Sequence, residues 1–116
     1  MKITERSSGR ITILDVQGRI AFGDGDEAFR SAVNQLIESG RVQLVINLAE
    51  VPFVDSAGLS QLVRTFVTTG NRGGRMKLMR PTRRVQELLE MTRLLTVIEC
   101  FETEEEAVAS FADLPD

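Results

Sequence analysis

The sequence predicts an α/β domain built on a mixed, mostly parallel sheet: an N-terminal hairpin, then helices and strands in alternation, with about four helices in all. Three observations lead there. Two short runs of strand character flank the turn cluster Ser7-Ser8-Gly9-Arg10, so the chain begins antiparallel. Residues 42–48 form an almost unbroken apolar, β-branched run, the pattern of a central strand covered on both faces. Around that run, apolar residues return at helical spacing in separate blocks, and such alternation calls for parallel strands joined by right-handed crossovers. With 116 residues, 42% of them hydrophobic, the chain suits one domain spanning residues 1–116.

The elements follow in order. Ile11-Thr12-Ile13-Leu14-Asp15-Val16 alternates as the second hairpin strand. After Gly23-Asp24-Gly25-Asp26, the residues Phe29, Ala32, Val33, Leu36 and Ile37 mark one face of a helix that ends near Gly40 and that Asp24 or Asp26 is placed to cap. The central strand is followed by Val51-Pro52-Phe53-Val54 and then by a helix carrying Leu59, Leu62, Val63, Phe66 and Val67 inward, which stops at Gly70-Asn71-Arg72-Gly73-Gly74. Met76-Lys77-Leu78-Met79 is a short strand, and Pro81 and Thr82 open a helix with Val85, Leu88, Leu89 and Thr92 inward. Residues 97–101 read as a last strand. Thr103-Glu104-Glu105-Glu106 then forms a capping box for a final helix anchored by Ala107, Val108 and Phe111, the Glu106 carboxylate returning to the Thr103 N–H.

Composition removes several function classes. A net charge of −3 with 27% charged residues lacks the basic excess of a phosphate-backbone binder, so direct nucleic-acid contact is not expected. No apolar stretch approaches the roughly 18–20 residues that span a bilayer, and the N-terminal residues lack an apolar h-region. The expectation is therefore a cytoplasmic chain without membrane insertion. Histidine is absent, which excludes His-based nucleophile pairs and the usual zinc sites within the chain, and Cys100 has no second cysteine to bond. Tyr and Trp are absent too, and the six Phe residues are assigned to packing. No cofactor or metal is expected.

One segment stands out, Asp55-Ser56-Ala57-Gly58-Leu59, because it places a hydroxyl where a hydrophobic strand gives way to an amphipathic helix. Ser56 reads as the N-cap of that helix, a position that supports an anion through unpaired backbone N–H groups and the helix dipole. It also lies just past the carboxyl end of a mid-chain strand, where open α/β sheets gather their functional groups. The start of the first helix, with Asp24 and Asp26, and the exposed side of the helix after Ser56, with Ser60 and Arg64, form the expected partner surface beside Asp55.

Residues 45–59, together with Gly73-Gly74-Arg75-Met76-Lys77-Leu78 and the stretch 85–94, resemble the STAS family, in particular the bacterial anti-sigma factor antagonists. The resemblance covers nearly the whole chain. It implies a STAS-type fold, and it implies that Ser56 is phosphorylated by a partner anti-sigma factor with serine kinase activity. A serine phosphatase would restore the hydroxyl, and the unphosphorylated form would bind the anti-sigma factor and so release a sigma factor. On this reading the chain is substrate and switch, not enzyme, and the ATP belongs to the partner. Many members carry an acidic residue where this chain has Ala21, a place that Asp24 or Asp26 would fill. Two other readings of the resemblance are a ligand- or nucleotide-sensing module and an accessory subunit of a transporter complex.

Overall fold

Strand β1 (Lys2–Ser8) and strand β2 (Ile11–Gln17) pair antiparallel about a two-residue turn in which Gly9 takes φ +60, an angle costly for a residue with a Cβ. The computed structural model describes residues 1–112; residues 113–116, the end of the expected single domain, lie outside the described residues. From β2 the chain alternates: α1 (Asp24–Glu38), β3 (Gln43–Glu50), α2 (Ser56–Asn71), β4 (Arg75–Met79), α3 (Arg83–Met91), β5 (Cys100–Phe101) and α4 (Glu104–Ala109). The sheet order is β1-β2-β3-β4-β5, antiparallel at β1 and parallel thereafter. The mixed sheet and the four helices expected from the sequence are therefore present.

Sheet order explains the layering. Each crossover steps one strand in the same direction, so right-handedness puts α1, α2 and α3 on one face. There Leu14, Ile46 and Leu78 lie in register on three adjacent strands, all buried, and pack with Phe29 and Val33 of α1, Leu62 of α2 and Leu89 of α3. The opposite face carries a smaller cluster of Ile11, Ile13, Val45 and Met79 beneath Ala107 and Phe111. In this second layer Lys77 is a polar residue buried in the register row of Ile13 and Val45. Its ammonium donates to the Ser110 carbonyl at 3.0 Å and hydroxyl at 2.9 Å, meets Glu99 at 3.1 Å, and stands 4.5 Å above the Phe111 ring. A buried ammonium needs such partners, and here they fasten the end of α4 to the sheet.

Several local expectations need correction. The run 97–101 contributes only the two-residue β5; a 3-10 turn at Leu94–Thr96 precedes it, leaving Val97 exposed. On α2, Val67 faces outward, while Thr65 and Thr69 are buried because each hydroxyl donates to a carbonyl one turn back, Gln61 at 2.8 Å and Thr65 at 2.9 Å. Thr92 ends α3 exposed and not inward, its hydroxyl on the Leu88 carbonyl. Half of the capping box holds: the Thr103 hydroxyl accepts from the Glu106 N–H at 3.1 Å, but the Glu106 carboxylate accepts from that hydroxyl rather than from the backbone. Among the described residues no helix is long and apolar enough to cross a membrane.

Candidate functional site

The junction between β3 and α2 is built against the loop that leaves β2. A bridge pairs Ile20 with Val54, both buried, and the Ile20 N–H donates to the Phe53 carbonyl at 3.1 Å. The first turn of α2 then presses onto the Ile20 carbonyl so closely that a Cβ on residue 58 would lie inside the van der Waals envelope of that oxygen. Only glycine fits there. Leu59 packs partly buried on the core, which turns the opposite side of the same turn to solvent.

Asp55, not Ser56, is the N-cap of α2, which corrects the sequence reading. One Asp55 carboxylate oxygen accepts the Gly58 N–H at 2.9 Å, the cap interaction with the third helical residue. The other accepts the Phe22 N–H at 2.9 Å, so a single carboxylate ties the β2–α1 loop to the helix start. These two bonds, first that from Phe22 and then that from Gly58, hold the Asp55 carboxyl below the usual aspartate range. Ser56 is the first helical residue, exposed, and its hydroxyl forms no hydrogen bond among the described residues. Ser56, Ser60 and Arg64 succeed one another at a spacing of four and are all exposed, forming one outward stripe. Within it the Ser60 hydroxyl donates to the Ser56 carbonyl at 2.9 Å.

At α1 the expected side-chain cap is replaced by Gly23, which enters the helix at φ +103 with no side-chain hydrogen bond. Asp24 and Asp26 instead lie in the first turn with Glu27, where their charge suits the helix dipole. Asp24 is exposed; Asp26 is half-buried, with one carboxylate oxygen shielded from solvent and without a partner. Neither bonds to Ser56 among the described residues. The loop at Ala21 is held by the Asp26 N–H donating to the Ala21 carbonyl at 2.8 Å, and the carboxylate that joins this loop to the site is Asp55.

Phe22 was missed by the assignment of every Phe to packing. Phe29 and Phe111 are buried as expected, but Phe22 is 86% exposed, directly beside the amide that Asp55 holds. Its signal was legible: it is a large apolar residue inside a Gly- and Asp-rich loop, outside any periodic pattern. On the other side of the junction a shallow groove of about 180 Å³ runs between Phe53, Val54, Leu88 and Met91, with Arg84 4.8 Å over the Phe53 ring.

Two carboxyls make the pH dependence of stability specific. Asp55 is held low by backbone N–H groups, and Asp15 chiefly by its hydrogen bond from Arg6, with Asn47 adding a second at 2.8 Å. A folded-state value below the unfolded one means that the folded chain binds fewer protons in acid. The contribution is therefore complete above the ordinary aspartate value of about 3.9 and is lost as pH falls through the lower folded value. Asp55→Asn is expected to be less stable than the parent at pH 7, with the gap closing below about pH 4; urea unfolding across pH 2.5–7 checks this. A gap independent of pH would show that the Asp55 charge is not what the two amides hold.

The STAS domain family model matches residues 2–107. The structure is similar to an anti-sigma factor antagonist from Mycobacterium paratuberculosis, with 19% identity, 97% of this chain and 94% of that chain covered and a TM-score of 0.83. It is also similar to an anti-sigma-factor antagonist (STAS) domain protein from Planctomyces limnophilus, with 19% identity, coverage of 96% and 98%, and a TM-score of 0.82. A third likeness is the Bacillus cell fate determinant SpoIIAA in its phosphorylated form, with 19% identity, coverage of 94% and 98%, and a TM-score of 0.74. At such identities the likenesses establish the fold, and the family match over nearly all the described residues establishes descent. With its hairpin-led parallel sheet and its aspartate-capped helix at the end of β3, the chain belongs to the STAS domain family.

Proposed function

We propose that this chain is an anti-sigma factor antagonist switched by phosphorylation of Ser56. The observation that carries the proposal is a division of labour in the Asp55–Leu59 segment. Asp55 caps and clips, Gly58 permits close approach and Leu59 packs, whereas the Ser56 hydroxyl is exposed and unbonded. A side chain with no structural duty, on a rigid turn at the carboxyl end of a central strand, is free to serve another protein.

The chain acts as substrate and switch, with catalysis and ATP supplied by an anti-sigma factor serine kinase. A serine phosphatase reverses the modification. Unphosphorylated, it binds the kinase, frees a sigma factor and so regulates transcription indirectly, in the cytoplasm. Asp24, Asp26, Ser60 and Arg64 flank the seat of the partner, and Asp55 shapes it. Asp55 already occupies the Gly58 N–H, so the added charge of about −1.5 to −2 stands beside an existing carboxylate, a repulsion that the helix dipole offsets only in part.

The test is incubation with ATP and each serine kinase of the anti-sigma type encoded in the same genome, followed by localisation of the phosphate by mass spectrometry. One phosphate is expected, on Ser56, and none on Ser56→Ala. Incorporation at another residue, or undiminished incorporation in the variant, contradicts the proposal.

A further inference from the structure

Phe22 is a large apolar side chain in water, and everything around its backbone keeps it there. The Phe22 N–H is bound by Asp55 at 2.9 Å; Ile20, two residues before, is buried and bridged to Val54. The Ala21 carbonyl is bound by the Asp26 N–H at 2.8 Å, and the Gly23 carbonyl by the Glu27 N–H at 3.3 Å. A Cβ on Gly25 would overlap the Arg19 carbonyl oxygen, so the first turn of α1 is pressed against the same loop. Phe22 therefore projects from a loop whose backbone is tied on both sides, and its phenyl ring stands in solvent.

We propose that Phe22 is the docking residue that seats the partner kinase at Ser56, and that Asp55 is a positioning residue acting through it. The inference rests on the functional reading above and adds to it the contact that selects the partner. Continuity supports it: the residue whose carboxylate holds the Phe22 N–H immediately precedes Ser56, so the loop that carries the ring and the turn that carries the hydroxyl are joined at one carboxylate. Charge defines the occupant further. The surroundings of Phe22 carry Asp24, Asp26, Glu27 and Asp55 against Arg19, so the matching surface is an apolar socket with a basic rim on the kinase. A ring of this size buries roughly 150–250 Å² when seated, and because the backbone that carries it is already tied, binding need not order the loop.

The experiment measures KM and kcat for phosphorylation of Ser56, and Kd for the unphosphorylated chain, with the anti-sigma-type serine kinases of the same genome. Phe22→Ala is expected to raise KM and Kd about 10- to 100-fold with kcat within twofold, because the contact is made equally in ground and transition states. Phe22→Leu should recover most of the loss. Asp55→Asn should also weaken docking, and the double variant Phe22→Ala with Asp55→Asn should bind no worse than Phe22→Ala alone, since Asp55 acts by holding the Phe22 amide and with it the loop that carries the ring. Thermal unfolding unchanged in Phe22→Ala confirms that the fold is not the cause. Wild-type KM and Kd in Phe22→Ala overturn the inference, as does a fall in kcat at unchanged KM; in either case phosphorylation of Ser56 leaves the functional reading standing. If the wild-type chain binds a kinase through Phe22 and takes no phosphate, docking stands and the phosphorylation reading falls. If it neither binds nor is modified, both fall.

Discussion

Gly58→Ala is expected to destabilise the domain by about 3 kcal/mol or more, one of the largest effects a single methyl group can have here. The added Cβ meets the backbone carbonyl of Ile20 and also the Val54 side chain, and neither can yield cheaply. Ile20 is fully buried and bridged to Val54, and its carbonyl also accepts the Asp55 N–H at 3.4 Å. Relief of the overlap requires α2 to move away from the β2–α1 loop, which stretches both bonds of the Asp55 carboxylate at once. For a domain of this size the loss corresponds to a Tm lower by roughly 10–15 °C. Gly70→Ala, in the same helix but with nothing within 4 Å of the new Cβ, is the control; it should be neutral or stabilising by up to about 1 kcal/mol. Equal effects at the two positions would show that close approach at Gly58 is not what fixes the helix start.

Phosphorylation of Ser56 is expected to leave the domain folded while lowering affinity for its kinase partner 100-fold or more. Ser56 is exposed and its hydroxyl supports nothing, so esterification breaks no bond within the domain. The helix dipole favours a negative charge at the first residue by about 0.3–1 kcal/mol, which offsets part of the repulsion from the Asp55 carboxylate. The interface is different. A surface complementary to a neutral hydroxyl must strip water from a dianion without supplying donors, at a cost of several kcal/mol, and each 1.4 kcal/mol is a factor of ten in Kd. Ser56→Asp, with one charge and a shorter reach, should show the same effect in weaker form, and Ser56→Ala should bind like the parent.

Regular patterns were readable from the sequence because they are set by local periodicity. The in-register row of Leu14, Ile46 and Leu78 comes from strands whose apolar runs were plain, and the inward face of α1 was read residue by residue. What escaped was fixed by contacts between distant segments. The cap of α2 was assigned to Ser56 because serine and aspartate are both good caps, and one residue of offset is settled by where the Ile20 loop sits. Phe22 was assigned to packing with the other Phe residues, most of which occupy apolar periodic patterns, whereas its loop is tied to Asp55, 33 residues away, and leaves it exposed. Lys77 looked like an ordinary strand residue; its burial depends on Ser110 and Phe111, which α4 brings over the second face. The strand expected over residues 97–101 is shortened to β5 because the turn that begins at Arg93, with φ +60, runs on to Val97 and Ile98, whose N–H groups donate to the Leu94 carbonyl at 3.1 and 2.8 Å.

The most direct test of the central claim is a titration of the partner kinase with the chain stoichiometrically phosphorylated on Ser56 and with its unmodified form, alongside the Tm of each. The expected result is a Kd higher by 100-fold or more for the phosphorylated chain with a Tm within a few degrees of the parent. Equal affinity of the two forms, or a phosphorylated domain that no longer folds, would contradict it.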